Sequence, residues 1–352
     1  MTQSLLTRIG VELPVFQAPM AGTSTPAMAA AVCDAGGLGA IGVAAESTEG
    51  AARMIRQTQA LTARPFNVNV FCHRPATADA AVETAWIERF RPRFAELDAQ
   101  PPSALREIYQ TFRGHAAMTA LLLETRPAIV SFHFGLPEQD QLRALKQAGI
   151  LLFGSATNLA DARLLADAGM DAVVAQGYEA GGHHGVFDEN APDDRLGTLP
   201  LTRLLARGQD LPVIAAGGIT DGGGIAAVRK LGAAAAQLGT AFVGCPESAA
   251  DTGYRAALAS SAAHHTVMTR AISGRPARCL ANRFTALAQT IPDSAVPGYP
   301  ITYDLGKALH AAAKAKGEFG FGAQWAGQGA PLSRPMPAAD LVRLLARELA
   351  AA

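Results

Sequence analysis

The stretch Asp171-Ala-Val-Val-Ala-Gln-Gly-Tyr-Glu-Ala-Gly-Gly-His-His-Gly185 carries the reading of the whole chain. It begins as an apolar run that leaves a helical pattern by way of Gly169, as a buried strand does. It ends in a glutamate, several glycines and two adjacent histidines, a composition ill suited to packing. Glycines let a backbone approach a ligand closely. A histidine beside them is the side chain most easily set to exchange a proton near neutral pH. In isolation, a tight turn with two surface histidines explains the segment equally well. Its neighbours decide between the two.

Working outward, this strand is one of eight short apolar runs. They fall at 14–18, 39–42, 66–71, 128–132, 150–153, 172–175, 212–216 and 235–238, most followed by a helical pattern. Ala- and Leu-rich stretches with helical spacing lie at 26–35, 139–148, 160–168 and 225–231. Their exits carry Gly36-Gly37, Gly149, Gly169 and Gly232, each a candidate left-handed cap before the next strand. Repeated strand–helix units ask for a parallel sheet, and eight ask for closure. The expected fold is therefore α/β, a (β/α)8 TIM barrel, preferred to an open doubly wound sheet that would need fewer strands. Two stretches exceed a minimal barrel. Residues 72–127 hold two long helical patterns, 76–97 and 103–124, broken by Pro101-Pro102. Residues 245–313 read as several helices forming a mainly helical, substrate-covering insertion after strand 8. Residues 1–244 with 314–352 then make the barrel domain and 245–313 the lid. The amphipathic tail at 338–349 is placed as the last barrel helix.

Composition bounds the function. Half the chain is hydrophobic (49%), mean hydropathy is +0.14, and 30 basic residues balance 30 acidic ones. Nothing in that balance points to nucleic acid or another polyanion. No apolar run approaches a membrane span, and Met1-Thr-Gln-Ser-Leu-Leu-Thr-Arg8 lacks the pattern of a signal peptide. Cys33, Cys72, Cys245 and Cys279 are widely spaced, so neither a zinc site nor a disulfide framework is indicated. The expectation is a soluble cytoplasmic protein, with a homodimer allowed.

Two further strand ends carry glycine, Ala215-Ala-Gly-Gly-Ile-Thr-Asp-Gly-Gly-Gly224 and Leu238-Gly-Thr-Ala-Phe242. Loops after strands seven and eight of such barrels often bind phosphate, so Gly217, Gly218, Gly239 and Thr240 form a candidate cradle. No GxxxxGK[ST] is present, which disfavours nucleotide hydrolysis and favours a phosphate-tethered cofactor. Strand one ends in Gln17-Ala-Pro-Met-Ala-Gly-Thr23, small and soft groups suited to lying against a flat ring or to packing in the core. His183 and His184 with Glu179 could be offered as a metal cluster, but adjacent histidines on an extended chain point apart, and no metal is expected. His115 and the pair His264-His265, the latter in an Ala-rich helical stretch, read as surface or cap residues.

The order QAPMAG, PFNVN (Pro65 to Asn69), QGYEAGGHHG, AAGGITDGGG and LGTAF resembles the nitronate monooxygenase family, formerly called 2-nitropropane dioxygenases. Gly298-Tyr-Pro-Ile-Thr-Tyr-Asp-Leu-Gly-Lys307, with Tyr109, Ser131-Phe-His133 and Tyr254, matches its class I branch. The resemblance implies an FMN enzyme on a TIM barrel that oxidises alkyl nitronates with O2 to a carbonyl compound and nitrite, through a flavin semiquinone. It implies FMN phosphate on Gly217, Gly218, Gly239 and Thr240. It sets the isoalloxazine ring among Ala18, Met20, Gly22, Asn69, Gln176, Gly181 and Gly182. His183 is then the catalytic residue, His184 the second choice, and His133, Tyr109, Tyr254, Tyr299, Tyr303 and Lys307 the substrate pocket. Lys307 would suit a substrate with a second negative charge, such as propionate 3-nitronate. Other readings of the same loops are an FMN-dependent NAD(P)H enoyl-thioester reductase, a flavin-free phosphate-binding barrel and a non-catalytic FMN-binding protein.

Overall fold

The structure, a computed structural model, describes residues 4–352; the first three residues of the N-terminal stretch read above lie outside the described residues. Eight parallel strands follow the apolar runs: β1 (Val15–Gln17), β2 (Ala40–Gly42), β3 (Asn67–Phe71), β4 (Ile129–His133), β5 (Leu151–Ala156), β6 (Ala172–Gln176), β7 (Val213–Ala216) and β8 (Ala235–Leu238). Each pairs with its neighbour in the chain, and β8 pairs with β1. The last seam is a parallel bridge between Phe16 and Leu38. There the Gln17 N–H donates to the Leu38 carbonyl at 2.8 Å and the Leu38 N–H to the Val15 carbonyl at 3.0 Å, which closes the barrel.

Strands enclosed on both faces read as nearly continuous apolar runs, which is why they were legible. Inside the barrel the pattern is finer. Phe16, Ile129, Phe153, Ala172, Val174, Ile214 and Ala235 fill the lower layers, with Leu5 and Ile9 of the first helix, Leu5–Ile9, packed beneath them. Two residues further along, the inward positions turn polar: Asn69, Ser131 and His133, Ser155, Gln176 and Gln237. A strand has period two, so one strand serves both levels, as β4 does with Ile129 below and Ser131 and His133 at the mouth.

The four helix exits named above take left-handed φ, from 73° at Gly169 to 110° at Gly232. The final helix, Ala338–Ala351, buries Leu341, Val342 and Leu345 and packs against the helices Pro26–Asp34 and Gly222–Lys230.

Two expectations are corrected. A helix occupies Ala80–Glu96, but of 103–124 only Ala116–Thr125 is helical. Residues 103–115 run as irregular chain because their polar groups are taken elsewhere. The Phe112 N–H donates to the Phe71 carbonyl at 2.8 Å, Thr111 Oγ1 to the His73 carbonyl at 2.7 Å, and the Arg106 N–H to Asp304 at 3.1 Å. His115 caps the shortened helix, its Nδ1 accepting from the Met118 N–H. The region after β8 is not helical throughout. Between the helices Thr252–Leu258 and Arg283–Ala288, strands Thr266–Thr269 and Ala277–Leu280 form an antiparallel hairpin, and the second of these pairs with Gly182–His183. His264 closes a 3₁₀ turn before that hairpin, not an α-helix.

Candidate active site

The C-terminal ends of the strands open into a cavity of about 460 Å³. His183 and every residue assigned above to the cofactor or the substrate pocket line it, while His184 does not. Ala18, Met20 and Gly22 come from the loop after β1, Asn69 from β3, His133 from β4, and Gln176, Gly181, Gly182 and His183 from β6 and its loop. Gly217 and Gly218 follow β7, and Gly239 and Thr240 follow β8. Tyr109 reaches in from the first insertion; Tyr254, Tyr299, Tyr303 and Lys307 come from the second.

The β7 and β8 ends form a cradle that side chains would fill. Gly217 holds φ at 125°, and a Cβ there would stand 2.6 Å from Thr198 Oγ1. A Cβ on Gly239 would enter the gap beside Ala18 Cβ and Met20 Sδ, 3.5 and 3.8 Å away. The first N–H groups of the short helix Thr240–Val243 have no partner within that helix. Small backbone and free N–H groups at this corner fit a phosphate, and the small-residue β1 loop beside it fits a flat ring. Glu179, once weighed as a metal ligand, instead accepts from the N–H and Oγ1 of Thr198, both at 2.6 Å, and so caps the helix Thr198–Gly208.

The histidine pair divides as an extended chain dictates. His183 turns to the cavity. His184 is buried on the other side, edge-on to Tyr178, with Nε2 3.3 Å from Asp193. Gln176 fixes the backbone between them, its Nε2 donating to the His183 carbonyl at 3.0 Å and its Oε1 accepting from the Gly185 N–H at 2.7 Å. His133 Nε2 lies 3.1 Å from the same carbonyl, which only accepts, so His133 carries its proton on Nε2 and accepts at Nδ1 from Ser155 Oγ at 3.0 Å. The same reasoning sets His183. Ser273 Oγ gives its proton to the Arg275 carbonyl at 3.3 Å and so accepts from His183 Nε2 at 2.9 Å. His183 Nδ1 is left as the basic nitrogen.

Rings of Phe134, Tyr299, Tyr303 and Trp325 surround His183, with centroids 5.1 to 6.2 Å away. Lys307 Nζ donates to the Tyr109 hydroxyl at 2.8 Å and stands 5.1 and 5.8 Å from the Tyr109 and Tyr303 ring centres. The Tyr254 hydroxyl is committed to the Trp325 carbonyl, the one tyrosine of the pocket whose polar end serves the main chain. Trp325, Ser273 and Arg275 were not found from the sequence. Trp325 is one of only two tryptophans, which was a usable signal. Arg275 is buried, its guanidinium 4.4 Å from the Phe134 ring centre and its Nη2 2.6 Å from the Val186 carbonyl.

Burial dominates the electrostatics. It pushes His183 down to about 3 and His133 and His73 down to about 4, with Arg275 adding to each shift. The imidazoles are therefore neutral in the working range. Burial also raises the phenols of Tyr109, Tyr254, Tyr299 and Tyr303, which stay protonated donors. The histidines have a consequence for stability. Between the ordinary value of 6.5 and these lowered values, the unfolded chain binds more protons than the folded one. Stability present above pH 6.5 is thus expected to drain away as pH falls toward 4. Thermal unfolding across this window should show the decline, and His73→Phe, with one such group fewer, should show a shallower one. Equal slopes in both proteins would remove His73 from this account.

Among the described residues no three His, Cys, Asp or Glu side chains gather as a metal set, and no helix is long and apolar enough to cross a membrane. The four cysteines are buried and unpaired. A model of the nitronate monooxygenase family matches residues 3–348. The chain is 61% identical to the nitronate monooxygenase of Paraburkholderia phytofirmans over 99% of this chain and 95% of that one. It is 52% identical to that of Pseudomonas aeruginosa, over 99% of both. Among solved structures, nitroalkane oxidase from Streptomyces ansochromogenes superposes with a TM-score of 0.90 at 40% identity, covering 99% of this chain and 98% of its own. FabK from Thermotoga maritima superposes at 0.74 with 27% identity, covering 100% and 97%.

Proposed function

The chain belongs to the nitronate monooxygenase family, and from that premise we propose that it oxidises alkyl nitronates with O2 to a carbonyl compound and nitrite, with FMN as cofactor. The observation that supports this most is the convergence of three features in one cavity: the glycine cradle after β7 and β8, the small-residue β1 loop, and a neutral His183 lining the same space as the Lys307–Tyr109 pair. In this reading Gly217, Gly218, Gly239 and Thr240 hold the FMN phosphate. Ala18, Met20, Gly22, Asn69, Gln176, Gly181 and Gly182 hold the ring. Bound there, FMN supplies the redox chemistry, while the protein supplies position and charge.

The remaining roles belong to the chain's own groups. A nitronate is a planar anion with charge on two oxygens. Lys307 offers it a fixed positive charge, and protonated tyrosines of the pocket offer donors. His183 Nδ1 is placed to accept the α-proton of a neutral nitroalkane. His133, held by Ser155, supports the His183 backbone. The aromatic rings around His183 exclude water from the reacting atoms. Residues 245–313 act as the lid, and the four reduced thiols suit a cytoplasmic enzyme.

The test is the visible spectrum of the purified protein. Flavin bands that change on anaerobic addition of propionate 3-nitronate, followed by nitrite once air is admitted, are expected. A bound flavin that ignores nitronate but bleaches with NADPH would overturn the reading, as would a colourless protein that FMN does not restore. The substrate is tested by Lys307→Met. Loss of one charge-assisted hydrogen bond is expected to lower kcat/KM for propionate 3-nitronate by about tenfold or more relative to an uncharged alkyl nitronate. Equal losses would count against a lysine that reads the carboxylate.

A further inference from the structure

A second cavity, of about 360 Å³, lies between the loop after β2 and the irregular segment 103–115. Its floor is buried and apolar: Val43, Val70, Phe112 and Met118. Its rim, at Glu46, Ser47, Glu49 and Gln110, is exposed to solvent. Ala45, Glu46, Phe71 and Tyr109 line both cavities, so a single layer of side chains separates the second from the main one. The partition is held from the far side, where Lys307 Nζ donates to the Tyr109 hydroxyl at 2.8 Å.

The two spaces differ in charge. Lys307, His310 and Lys314 project from one face of the helix Ile301–Ala315 into the main cavity, with Asp251 paired to Lys314 at 3.0 Å. No lysine or arginine is among the described residues lining the second cavity; Glu49 stands at its rim, with Glu46 on the border that the two spaces share. An anion is drawn to the first and repelled by the second, whereas a small neutral apolar molecule is indifferent to the carboxylates and gains from the apolar floor. The irregular run of 103–115 gives this space a physical origin. The chain there is irregular, anchored to β3 through Thr111 and Phe112, and the space lies beside its Ile108 and Tyr109.

We propose that the second cavity is the path by which dioxygen reaches the site, separate from the route of the anionic substrate, with Tyr109 and Phe71 as the partition between them. This rests on the proposed oxidation of nitronates by O2. Ala44 and Ile108 line only the second cavity and neither is assigned to substrate or cofactor; Ile108 packs against the Tyr109–Phe134–Tyr299 cluster, so Ala44→Phe fills the space away from the site and Ile108→Trp fills it from the Tyr109 side.

Stopped-flow on the FMN-loaded enzyme separates the two half-reactions. In both variants the anaerobic bleaching by propionate 3-nitronate is expected to keep its wild-type rate, while reoxidation by O2 slows several-fold. Reoxidation is measured again on dithionite-reduced enzyme. The path is thereby tested even if nitronate does not bleach the flavin, a result that sinks the functional reading alone. Crystals under xenon pressure supply a readout without turnover: xenon is expected on the Val43–Val70 floor of the wild type and absent from Ala44→Phe. Unchanged reoxidation in both variants, equal slowing of both half-reactions, or no xenon in the wild-type cavity would each overturn the proposal. Should Ala44→Phe fail to fold, Ile108→Trp carries the same test.

Discussion

His183→Asn is expected to lower kcat/KM for a neutral nitroalkane by about a hundredfold or more, but for the matching nitronate by only about tenfold. The difference follows from what each substrate asks of the imidazole. A nitronate has already lost its α-proton, so His183, whose free Nδ1 can only accept, offers it a shape and an uncharged wall. A neutral nitroalkane needs a base, and the nitrogen free to act is Nδ1, because Nε2 is spent on Ser273. Asparagine keeps a polar end of similar reach and cannot take up the proton. Burial holds the imidazole near 3, which makes it a weak base, so the wild type itself should favour nitronates strongly over neutral nitroalkanes. Steady-state kinetics on both substrate forms, each used before it re-equilibrates, decides the matter. Equal losses on the two would make His183 a positioning group and not a base.

The second large effect concerns backbone against backbone. A Cβ on Gly181 would lie 2.5 Å from the Gly327 nitrogen, and one on Gly327 would lie 2.7 Å from the Glu179 carbonyl oxygen. At this crossing the loop after β6 meets a strap, residues 319–332, that is tied down where the Gly327 N–H donates to Thr240 Oγ1 at 3.0 Å and the Gln328 N–H to the Glu179 carbonyl at 2.9 Å. Neither main chain can yield without lifting the strap and the Trp325 ring that stands 5.1 Å from His183. Gly181→Ala and Gly327→Ala are each expected to cost about 1–3 kcal/mol in urea unfolding, the range for overpacking, and to weaken retention of the flavin. The double variant should cost clearly less than the sum, because one lift relieves both clashes. Additive losses would mean that the two sites relax independently.

The parts of this architecture that were legible in the sequence are those in which each residue answers to its near neighbours. The strand Val213-Ile-Ala-Ala216 is enclosed on both faces and must be apolar throughout; the helix exits need left-handed backbone and carry glycine. The hairpin at 266–280 was hidden for the opposite reason. Its partner is Gly182–His183, joined through main-chain groups that leave no mark on side-chain pattern. Residues 103–115 misled because Leu105, Ile108, Tyr109 and Phe112 recur at helical spacing, while the bonds to Phe71 and His73 that override it are made by distant chain. In the site, glycine and histidine stood out because few packing roles require them at a strand end. Ser273 and Arg275 did not, since each acts through contacts that exist only once the hairpin is folded over the loop.

The roof of the cavity also has a consequence for biogenesis. Its pieces come from early, middle and late chain: Tyr109, Tyr254 through Lys307, then Trp325 to Gly329. The barrel beneath is closed by neighbouring strands and finally braced by the helix Ala338–Ala351 against Pro26–Asp34, near the start of the chain. A ribosome delivers these segments in order, so a nascent chain can carry nearly all its strands and still present an open bowl. In the proposed reading, FMN is then captured only after the strap, residues 319–332, has been made. A chain cut short before the strap would expose its polar mouth to water, folded in part and empty.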